Sequence, residues 1–448
     1  MAKEYDVIIV GGGIIGSALL YTISTYTDVK SVLLLEKYKD VALLNSNSAS
    51  NSQTLHWGDV ETNYSIEKAR DTKEASERVL KFTSKLPKSE RDLDIQACQK
   101  MVLGVGDFEV GRVESIFTDK FRELFPGAKK IGKDELERIE PNVMKGRDPK
   151  EKVQAILSDA GYMVNFNALA HSLVKRAAEN KDVKIDVMFN SNVTKIVERE
   201  SDNSVFVNGD EYKARFVDVA AGTYSLFFAR EMGYASNLSA LEVGGNFYWS
   251  PKVLNGKVYR VQIGGIPFAA VHGDPDITNP NITRFGPTVS MAMRLERYNP
   301  GTRMAFMKTI EFDSATLASF KKIFLGDSDV RRILKNNLVY MMPVVGKEQF
   351  LKNEVQSIVP SLKGSELHFA KGVGGIRPQV VDEKKMSLVL GESKIPGRHN
   401  LIFNVTPSPG ATSCLSIALE DAIKVAKLLD VEFKKDKYEK ELGPIRSK

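Results

Sequence analysis

Three glycines near the start of the chain have the spacing of a phosphate-binding turn. Gly11, Gly13 and Gly16 form GxGxxG within IIVGGGIIGSALL. In such a turn the first glycine lets the chain turn tightly, the second lets a diphosphate approach the backbone, and the third lets helix and strand pack closely. Glu36 follows 20 residues after Gly16, where a carboxylate accepts hydrogen bonds from ribose hydroxyls. The spacing predicts a dinucleotide site; the alternative is a glycine-rich turn followed by a surface glutamate.

These residues need a strand, a helix and a second strand to position them, and the sequence provides all three. YDVIIV is a short, β-branched apolar run that is typical of a buried parallel strand. IIGSALLYTISTY has the pattern of a helix with few charges, and SVLLLEK that of a second buried strand with Glu36 at its end. Strand, glycine turn, helix and strand form a βαβ unit, which predicts the opening of a doubly wound sheet.

The composition limits the kinds of protein that the chain can be. Its 448 residues predict two domains, or one domain with a large insertion. The formal charge of +6 is too weak to favour nucleic acid, but it is compatible with an anionic substrate or an anionic membrane surface. Cys98 and Cys414 lie far apart, which predicts neither a disulfide framework nor a metal site and fits a reducing cytoplasm.

One apolar stretch resembles a signal peptide or a membrane anchor. Residues 7–23 are almost entirely apolar, but they contain three consecutive glycines and no evident cleavage site follows. The stretch is also shorter than the roughly 20 residues that a membrane-spanning helix needs. We therefore expect this stretch to be part of the folded protein.

The glycine motif does not separate NAD from FAD, but two later segments favour FAD. VTKIVERE followed by FVDVAAGTYS resembles the second sheet and returning strand of FAD enzymes. Near the C-terminus, NVTPSPGATSC ends an extended segment, and a helix is predicted to begin around Thr412. Amide groups at a helix start stabilise the negative charge that grows on the flavin pyrimidine ring during reduction. The alternative is an ordinary Pro-Gly turn with Thr412 as the helix N-cap.

Several blocks of the sequence resemble the FAD-dependent malate:quinone oxidoreductases, in order and along nearly the whole chain. The blocks are YDVIIVGGGIIG, NSQTLHWGDVETNY, PFAAVHGDPD, RFGPT, GIRPQV and FNVTPSPGATSC. The resemblance is to the compact form of the enzyme, within a group that also contains 2-hydroxyglutarate dehydrogenases, glycerol-3-phosphate dehydrogenases and D-amino-acid oxidases. The longer form carries a different sequence around the position of His56.

The resemblance implies an α/β fold with two interleaved domains. One is a FAD-binding Rossmann-like domain of the glutathione-reductase and D-amino-acid-oxidase type, and the other is an inserted antiparallel-sheet substrate domain. We expect FAD-binding segments at residues 1–85, 151–230 and 366–448, the last with a C-terminal helix. The substrate-domain segments are expected at residues 86–150 and 231–365.

The loop after the second predicted strand is a further candidate cofactor segment. Residues 45–52 are NSNSASNS, a run that by itself is typical of a solvated connection. In flavin enzymes of the resembled group this loop runs under the isoalloxazine ring, where small residues allow backbone contact with a flat cofactor. The full set of predicted FAD contacts is Gly11, Gly13, Ile14, Ile15, Gly16, Glu36, Lys37, Ser48, Asn51, Ser52, Gln53, Thr54, Val193, Ala221, Gly222, Gly375, Ile376, Pro409, Gly410, Ala411 and Thr412.

Two histidines stand in blocks that carry the resemblance. His56 is expected at the flavin ring with Trp57 packed near it, and His272 stands in AAVHGDPD before a polar turn. A lone histidine is more often structural than catalytic, although its pKa of about 6.5 suits proton transfer. Their context makes both candidate bases, whereas we expect Asp274 and Asp276 to be turn residues and not metal ligands. The remaining histidines are expected to be structural or exposed: His171, His368 and His399.

Two arginines are candidates for binding an anionic substrate. Arg377 stands in GVGGIRPQ, where glycines let the backbone approach a flavin and a guanidinium can grip a carboxylate through two hydrogen bonds. The alternative for Arg377 is a structural ion pair. Malate has two carboxylates, so Arg284 in RFGPT is a second candidate, and Gln53 and His272 complete the predicted substrate contacts.

The resemblance implies oxidation of (S)-malate to oxaloacetate in the tricarboxylic acid cycle, with electrons passed to a membrane quinone, either ubiquinone or menaquinone. Arg377 would orient the substrate, and His56 or His272 would take the hydroxyl proton as the C2 hydride passes to the flavin. One alternative is a related FAD-dependent dehydrogenase for 2-hydroxyglutarate or lactate, or an oxidase that uses oxygen. Another is a flavoprotein without small-acid turnover, such as a folding or tRNA-modifying protein.

A quinone partner also implies contact with a membrane. Since a quinone tail partitions into lipid, we expect peripheral attachment to the inner, cytoplasmic face of the cell membrane. The local candidate is the segment 320–340, in which apolar residues are flanked by lysines and arginines. The alternative for this segment is a helix packed on the substrate domain with a solvated basic face.

Overall fold

The computed structural model describes residues 3–262, 270–311, 313–342, 344–389, 393–406 and 409–446. Two of the sequence blocks extend beyond the described residues, at positions 267–269 and 407–408. Over the described ranges the chain forms twenty strands and sixteen α-helices.

The strands are β1 (Lys3–Val10), β2 (Ser31–Leu35), β3 (Ile95–Ala97), β4 (Lys100–Val105), β5 (Lys129–Ile131), β6 (Val153–Ser158), β7 (Tyr162–Val164), β8 (Lys184–Met188), β9 (Val193–Glu198), β10 (Asn203–Val207), β11 (Asp210–Val219), β12 (Leu238–Pro251), β13 (Lys257–Arg260), β14 (His272–Pro275), β15 (Ile282–Met291), β16 (His368–Phe369), β17 (Ile376–Asp382), β18 (Ser387–Leu388), β19 (Ser393–Pro396) and β20 (Leu401–Val405). The helices are α1 (Ile14–Tyr26), α2 (Ile66–Ser84), α3 (Lys88–Asp94), α4 (Gly106–Ile116), α5 (Asp119–Leu124), α6 (Lys133–Ile139), α7 (Pro141–Met144), α8 (Phe166–Ala178), α9 (Thr223–Glu231), α10 (Arg303–Met307), α11 (Ser314–Leu325), α12 (Ser328–Tyr340), α13 (Val345–Phe350), α14 (Gln356–Ile358), α15 (Cys414–Leu429) and α16 (Lys435–Leu442).

An eight-stranded sheet contains the predicted βαβ unit. Its main path is β19-β20-β11-β1-β2-β8, and β1 is parallel to both of its neighbours, β2 and β11. Val7 and Ile9 of β1 pack against α1, α8 and α15 on one face, while Ile8 packs on the other face with residues of β9 to β11 and α9. Burial on both faces explains the continuous apolar run in the sequence, and the predicted α/β fold is confirmed.

A ten-stranded sheet forms the second layer of the fold. Its path is β18-β17-β12-β15-β14-β13-β4-β6-β5, with β16 also pairing with β12. The pairs are antiparallel except for β13 and β4, which run parallel. Residues of α11 and α12 pack against β12 and β15 at one end of this sheet. The predicted antiparallel sheet is therefore present.

Strand membership differs from the predicted domain segments at two places. β6 pairs with β4, and β17 pairs with β12, so both belong to the ten-stranded sheet. The predicted boundaries instead assign residues 151–230 and 366–448 to the FAD-binding domain. β6 and β17 form their backbone hydrogen bonds within the ten-stranded sheet. The chain therefore crosses to the eight-stranded sheet only after these strands. The five segments otherwise remain a prediction.

The turn between β1 and α1 requires glycine at its first and third motif positions. Gly11 has a φ of +105°, and a Cβ atom there would lie 2.7 Å from the carbonyl oxygen of Ala220. A Cβ atom on Gly16 would lie 1.8 Å from the carbonyl oxygen of Gly11. The helix can therefore approach the strand end only because position 16 has no side chain.

We expect Gly16→Ala to lose copurifying flavin and to lower the free energy of unfolding by about 1–3 kcal/mol, because the added methyl group overpacks the turn. Gly111→Ala is the matched control, since a Cβ atom at this exposed position of α4 meets no atom within 4 Å. Flavin absorbance and thermal unfolding provide the measurements. Wild-type flavin content and melting temperature in the Gly16 variant would contradict the close packing described here.

Candidate active site

A cavity of about 510 Å³ lies where β1 and β2 end. Ligands of doubly wound sheets bind at the carboxyl ends of the strands, so the cavity has the expected position. It is large enough for a cofactor. The predicted FAD contacts that line it are Gly11, Gly13, Ile14, Ile15, Glu36, Lys37, Val193, Ala221, Gly222, Gly410 and Ala411.

One end of the cavity is built around the carboxylate of Glu36. The backbone N–H groups of Gly12 and Tyr38 donate to its two oxygens, at 2.7 and 2.8 Å. Burial raises the pKa of Glu36, although these hydrogen bonds act in the opposite direction. Each carboxylate oxygen has a further lone pair, so both can still accept bonds from ribose hydroxyls.

The glycine turn provides an anion site next to Glu36. A Cβ atom on Gly13 would meet only the Ser46 hydroxyl, at 3.4 Å, so a ligand can approach the backbone closely there. The first turn of α1 has no acidic residue, and its positive end faces this space. Together with Gly410 and Ala411 beside the start of α15, the cavity has complementary groups for both halves of FAD. The residues present therefore fit this cofactor.

The other predicted FAD contacts do not line this cavity. They comprise Gly16, which packs inside the turn, and residues of the 45–54 loop and of the segments around β17 and α15. Asn45 and Ser46 line the cavity instead. The predicted contacts outside the lining are Gly16, Ser48, Asn51, Ser52, Gln53, Thr54, Gly375, Ile376, Pro409 and Thr412.

Buried side chains hold the 45–54 loop by its carbonyl groups. Arg284 donates to the carbonyl oxygens of Asn51, at 3.1 Å, and Ser48, at 3.5 Å, and its Nε lies 3.2 Å from Asp276 Oδ2. Arg284 is only 2% exposed. The structure therefore gives Arg284 a role in positioning the loop, in place of the predicted substrate contact, because its donors are directed at protein acceptors.

Gln53 also stabilises the 45–54 loop through hydrogen bonds of its side chain. Its Nε2 donates to the Ser48 carbonyl at 3.1 Å, and its Oε1 accepts from the N–H of Ile277 at 2.9 Å. Gln53 is buried and has a positive φ of 51°. Its amide is thus engaged within the protein, which again differs from the predicted substrate contact.

His272 is part of a buried chain of charged groups. Its Nδ1 lies 2.5 Å from Asp274 Oδ2, and Asp274 Oδ1 lies 3.1 Å from Lys257 Nζ. The sequence predicts a turn at Asp274, but this residue lies on β14. Because residues two apart on a strand project from the same face, its carboxylate can reach the imidazole. Asp276 does accept turn hydrogen bonds, from the N–H groups of Thr278 and Asn279.

Burial and charge set the protonation of this chain. Burial lowers the pKa of His272 from its ordinary value, although the Asp274 carboxylate acts in the opposite direction. Burial alone would raise the pKa of Asp274, but His272 and Lys257 outweigh it and hold that pKa well below its usual range. At neutral pH the imidazole is therefore neutral and the carboxylate ionised, so His272 can accept a proton.

His56 has a carboxylate partner of its own. Its Nδ1 lies 2.6 Å from Glu61 Oε1, and the Gly58 N–H donates to Glu61 Oε2 at 2.9 Å. The backbone N–H of His56 donates to the Thr412 hydroxyl at 3.1 Å, so Thr412 ties this loop to the start of α15 and does not act as its N-cap. Trp57 is buried in the neighbouring apolar cluster.

Tyr259 connects these groups, and sequence reasoning did not find it. Its ring stacks on His272 with centroids 4.6 Å apart, and its hydroxyl lies 2.7 Å from Thr54 Oγ1. Burial raises the pKa of Tyr259 far above its ordinary value, Asp274 and Glu61 raise it further, and Arg377 lowers it.

Arg377 is an unpaired cation at this site. It lies on β17 opposite Val243 of β12, and its side chain is partly buried. Among the described residues it has neither a hydrogen bond nor an ion pair, which excludes the structural ion pair as its role there. Burial lowers the pKa of Arg377, although a guanidinium remains charged in proteins. Because an unpaired, partly buried charge is unfavourable, binding of an anionic ligand to Arg377 would be stabilising.

The other polar candidates of the sequence lie away from this cluster. His171, His368 and His399 are exposed, as expected, and His368 stacks on Trp249 with centroids 4.4 Å apart. Within the described part of the chain, no group of three or more His, Cys, Asp or Glu side chains could hold a metal ion.

Comparison with known proteins gives a consistent result. A sequence model of the family described as malate:quinone oxidoreductase (Mqo) matches residues 3–445. A protein of Campylobacter jejuni named probable malate:quinone oxidoreductase is 39% identical over 454 residues, covering 98% of this chain and 99% of that protein. The malate:quinone oxidoreductase of Helicobacter pylori is 37% identical over 456 residues, covering 99% of each.

Solved structures with the same fold are flavin enzymes. L-α-glycerophosphate oxidase from Mycoplasma pneumoniae with FAD bound superposes with a TM-score of 0.64 at 19% identity, over 95% of each chain. At this identity the likeness shows the fold, which agrees with a FAD-binding Rossmann-like domain carrying an antiparallel sheet.

Proposed function

We propose a catalytic arrangement for this chain, which belongs to the malate:quinone oxidoreductase family. The chain is a FAD-dependent oxidoreductase that oxidises malate with a quinone as electron acceptor. The proposed substrate and product are (S)-malate and oxaloacetate, and the proposed setting is the tricarboxylic acid cycle. The observation that carries the arrangement is that Arg377 has no ion pair among the described residues and lies in the same sheet as His272, which has Asp274 as its partner.

The cavity at the ends of β1 and β2 is the proposed FAD site. Backbone amides at the start of α1 would hold the diphosphate, Glu36 a ribose, and Gly410 and Ala411 the ring end. When bound, FAD accepts the hydride from C2 of malate. The chain's own residues bind and orient the acid and move its proton.

Arg377 is the proposed carboxylate ligand. A guanidinium can form two parallel hydrogen bonds with one carboxylate, which fixes the orientation of the substrate as well as binding it. Because Arg377 has no anionic partner among the described side chains, its charge is available to malate. Binding would replace an unpaired, partly buried charge with an ion pair.

His272 is the proposed base. Asp274 occupies its Nδ1, which leaves Nε2 as the nitrogen that can take the hydroxyl proton of malate. The carboxylate also stabilises the imidazolium as it forms, and Lys257 holds the carboxylate in place. His56 is the alternative base, because Glu61 holds its Nδ1 in the same manner. His272 and Arg377 both lie on strands of the ten-stranded sheet, whereas His56 lies in a loop outside it, which favours His272.

The proposed membrane contact is a surface formed by α11, α12 and the residues that follow them, here called the apolar-basic surface. Its exposed apolar side chains are Leu317, Leu325, Leu338, Met341, Met342, Val344 and Val345. Its exposed cations are Lys321, Lys322, Arg331, Arg332 and Lys335. No helix in the described ranges is long and apolar enough to cross a bilayer. Apolar side chains among cations can lie in the interface of an anionic membrane, so we propose contact with its cytoplasmic face.

The apolar residues of the segment 320–340 divide between two roles. Phe320, Ile323 and Phe324 pack inward against the ten-stranded sheet, and so do Ile333 and Leu334. These five residues therefore fit the alternative interpretation of the segment, a helix packed on the substrate domain. The outward apolar groups lie elsewhere on the same helices and beyond them, as Leu317 and Leu338 show with exposures of 71% and 69%.

We expect Arg377→Lys to retain FAD and to lose malate binding or turnover. Lysine replaces the planar fork with a point charge, and loss of a buried charged contact is worth about 2–5 kcal/mol, or roughly 30-fold and more. The measurement is anaerobic bleaching of the flavin at increasing malate concentration. Arg398→Lys, at an exposed turn, is the control. Kinetics of Arg377→Lys close to those of this control would refute the carboxylate role.

We expect His272→Gln to slow reduction by malate by roughly 10²- to 10⁴-fold, the usual scale of general base catalysis. In the wild type the rate falls as pH falls through the pKa of His272, which burial places below the ordinary 6.5, because protonation removes the base. Asp274→Asn should slow reduction and move this fall to lower pH, since Asp274 raises that pKa. Stopped-flow measurements across pH provide the test, with exposed His399→Gln as control. A larger loss in His56→Gln than in His272→Gln would make His56 the base.

Binding to anionic vesicles tests the apolar-basic surface. We expect replacement of Lys321, Lys322, Arg331 and Arg332 by Gln to weaken cosedimentation at low salt at least tenfold, because each cation near the surface contributes about 1 kcal/mol. The control makes the same charge change at other exposed lysines: Lys129, Lys130, Lys427 and Lys440. Equal binding of the two variants would exclude this surface, and wild-type protein that never sediments would exclude attachment.

A further inference from the structure

Beneath the apolar-basic surface lies a small apolar cavity that the proposed catalytic arrangement does not use. It is enclosed by β12, β15 and β18 of the ten-stranded sheet and by α11 and α12. Val243 and Val289 form part of its floor, and Ile323, Phe324 and Leu334 form part of its cover. Its volume of about 40 Å³ has room for only a few water molecules, so a larger occupant requires the helices to move outward.

The cavity adjoins the proposed malate site. Val243 of its floor is paired directly with Arg377 across β12 and β17. Residues paired in this way on antiparallel strands lie roughly 5 Å apart at Cα and project from the same face of the sheet. The apolar cavity and the unpaired guanidinium are therefore neighbours on one face.

The two helices of this cover are attached to different extents. The fully buried residues of α11 are Thr316 and Ser319, whereas its apolar residues Ile323 and Phe324 are only partly buried. In the apolar cluster below the helices, Val330 is the one helical residue among the fully buried members. α12 is held more firmly, because Asn337 Oδ1 accepts from the Val289 N–H at 2.5 Å and Tyr340 is buried in the neighbouring apolar cluster. Elements with few buried apolar contacts open at low free-energy cost, so α11 can separate from the sheet more readily than α12.

We propose that the space between this helix pair and the sheet is the binding site of the prenylated quinone. The ring would occupy the Val243 end, next to the malate site, and the tail would pass between the helices to the apolar-basic surface and into lipid. This inference rests on the proposed function. The reaction balances, since malate loses two electrons and two protons, the quinone gains both, and the products are oxaloacetate and quinol.

The apolar lining of the cavity fits the prenyl tail and the apolar faces of a quinone ring. The Ser290 hydroxyl is engaged on the other face of the sheet, where it donates to the Gly244 carbonyl at 3.2 Å and accepts from Arg297 Nη1 at 3.3 Å. The cations lie outside, where they complement anionic lipid headgroups.

Leu334→Trp and Leu93→Trp form a matched pair for the test. Leu334 lines the cavity, whereas Leu93 is 65% exposed on α3, away from the apolar-basic surface. Each variant is reduced anaerobically with malate and then mixed with a singly prenylated quinone or with ferricyanide. We expect Leu334→Trp to slow the quinone reaction at least tenfold, with malate and ferricyanide rates within twofold of wild type, and Leu93→Trp to leave all three rates unchanged. An unaffected quinone rate in Leu334→Trp overturns the proposal.

Wild-type protein provides a second test that does not depend on how the variants fold. Photolabelling with an azidoquinone, followed by peptide mapping, should mark residues 238–251 or 314–340, and unlabelled prenylated quinone should prevent the labelling. Labelling elsewhere, or labelling that lipid but not quinone displaces, overturns the proposal. Failure of malate to reduce the enzyme would instead refute the proposed function, so the two failures are distinguishable.

Discussion

Two buried lysines on adjacent strands connect the two halves of this active site. Lys100 on β4 and Lys257 on β13 are paired in register, and both are fully buried. Lys257 donates to the Ser52 carbonyl at 2.9 Å and lies 3.1 Å from Asp274, while Lys100 lies 3.1 Å from Asp59. The ten-stranded sheet therefore holds the loop that begins at the cofactor cavity, and Lys257 also holds Asp274, the partner of the proposed base His272. Removing one partner of such a pair leaves an uncompensated buried charge, at a cost of about 3–5 kcal/mol.

The same constraint explains why Arg377 can remain unpaired. Every other buried cation near the loop has a protein acceptor: Lys257 has Ser52 and Asp274, and Arg284 has Asn51 and Asp276. Those carboxylates are already committed, and no described carboxylate forms an ion pair with Arg377. The site thus has one excess positive charge in a partly buried position, which one carboxylate of the substrate would neutralise.

The sequence predicts the fold and the cofactor cavity better than it predicts the side-chain cluster around His272. The glycine turn and Glu36 are local features, because their geometry depends on a single βαβ unit. Tyr259, Asp274 and Glu61 depend on strand register and loop closure. Tyr259 meets His272 only because β13 and β14 pair at that register, and nothing in the local pattern around Tyr259 indicates it. Glu61 follows His56 by only five residues, so the sequence alone could have suggested Glu61 as a carboxylate partner of His56.

The proposed malate and quinone sites would separate two substrates of opposite character on one face of the ten-stranded sheet. Malate needs charges, and these are gathered between the loop and strands β13, β14 and β17. A quinone needs an apolar environment, and the apolar residues lie where α11 and α12 cover β12 and β15. The boundary between the two regions falls at the directly paired residues Arg377 and Val243. The charge of Arg377 is poorly screened beside an apolar site, so it disfavours an apolar ligand there. A carboxylate bound to Arg377 would reduce this effect. Carboxylate binding at Arg377 would therefore favour an apolar acceptor on the Val243 side.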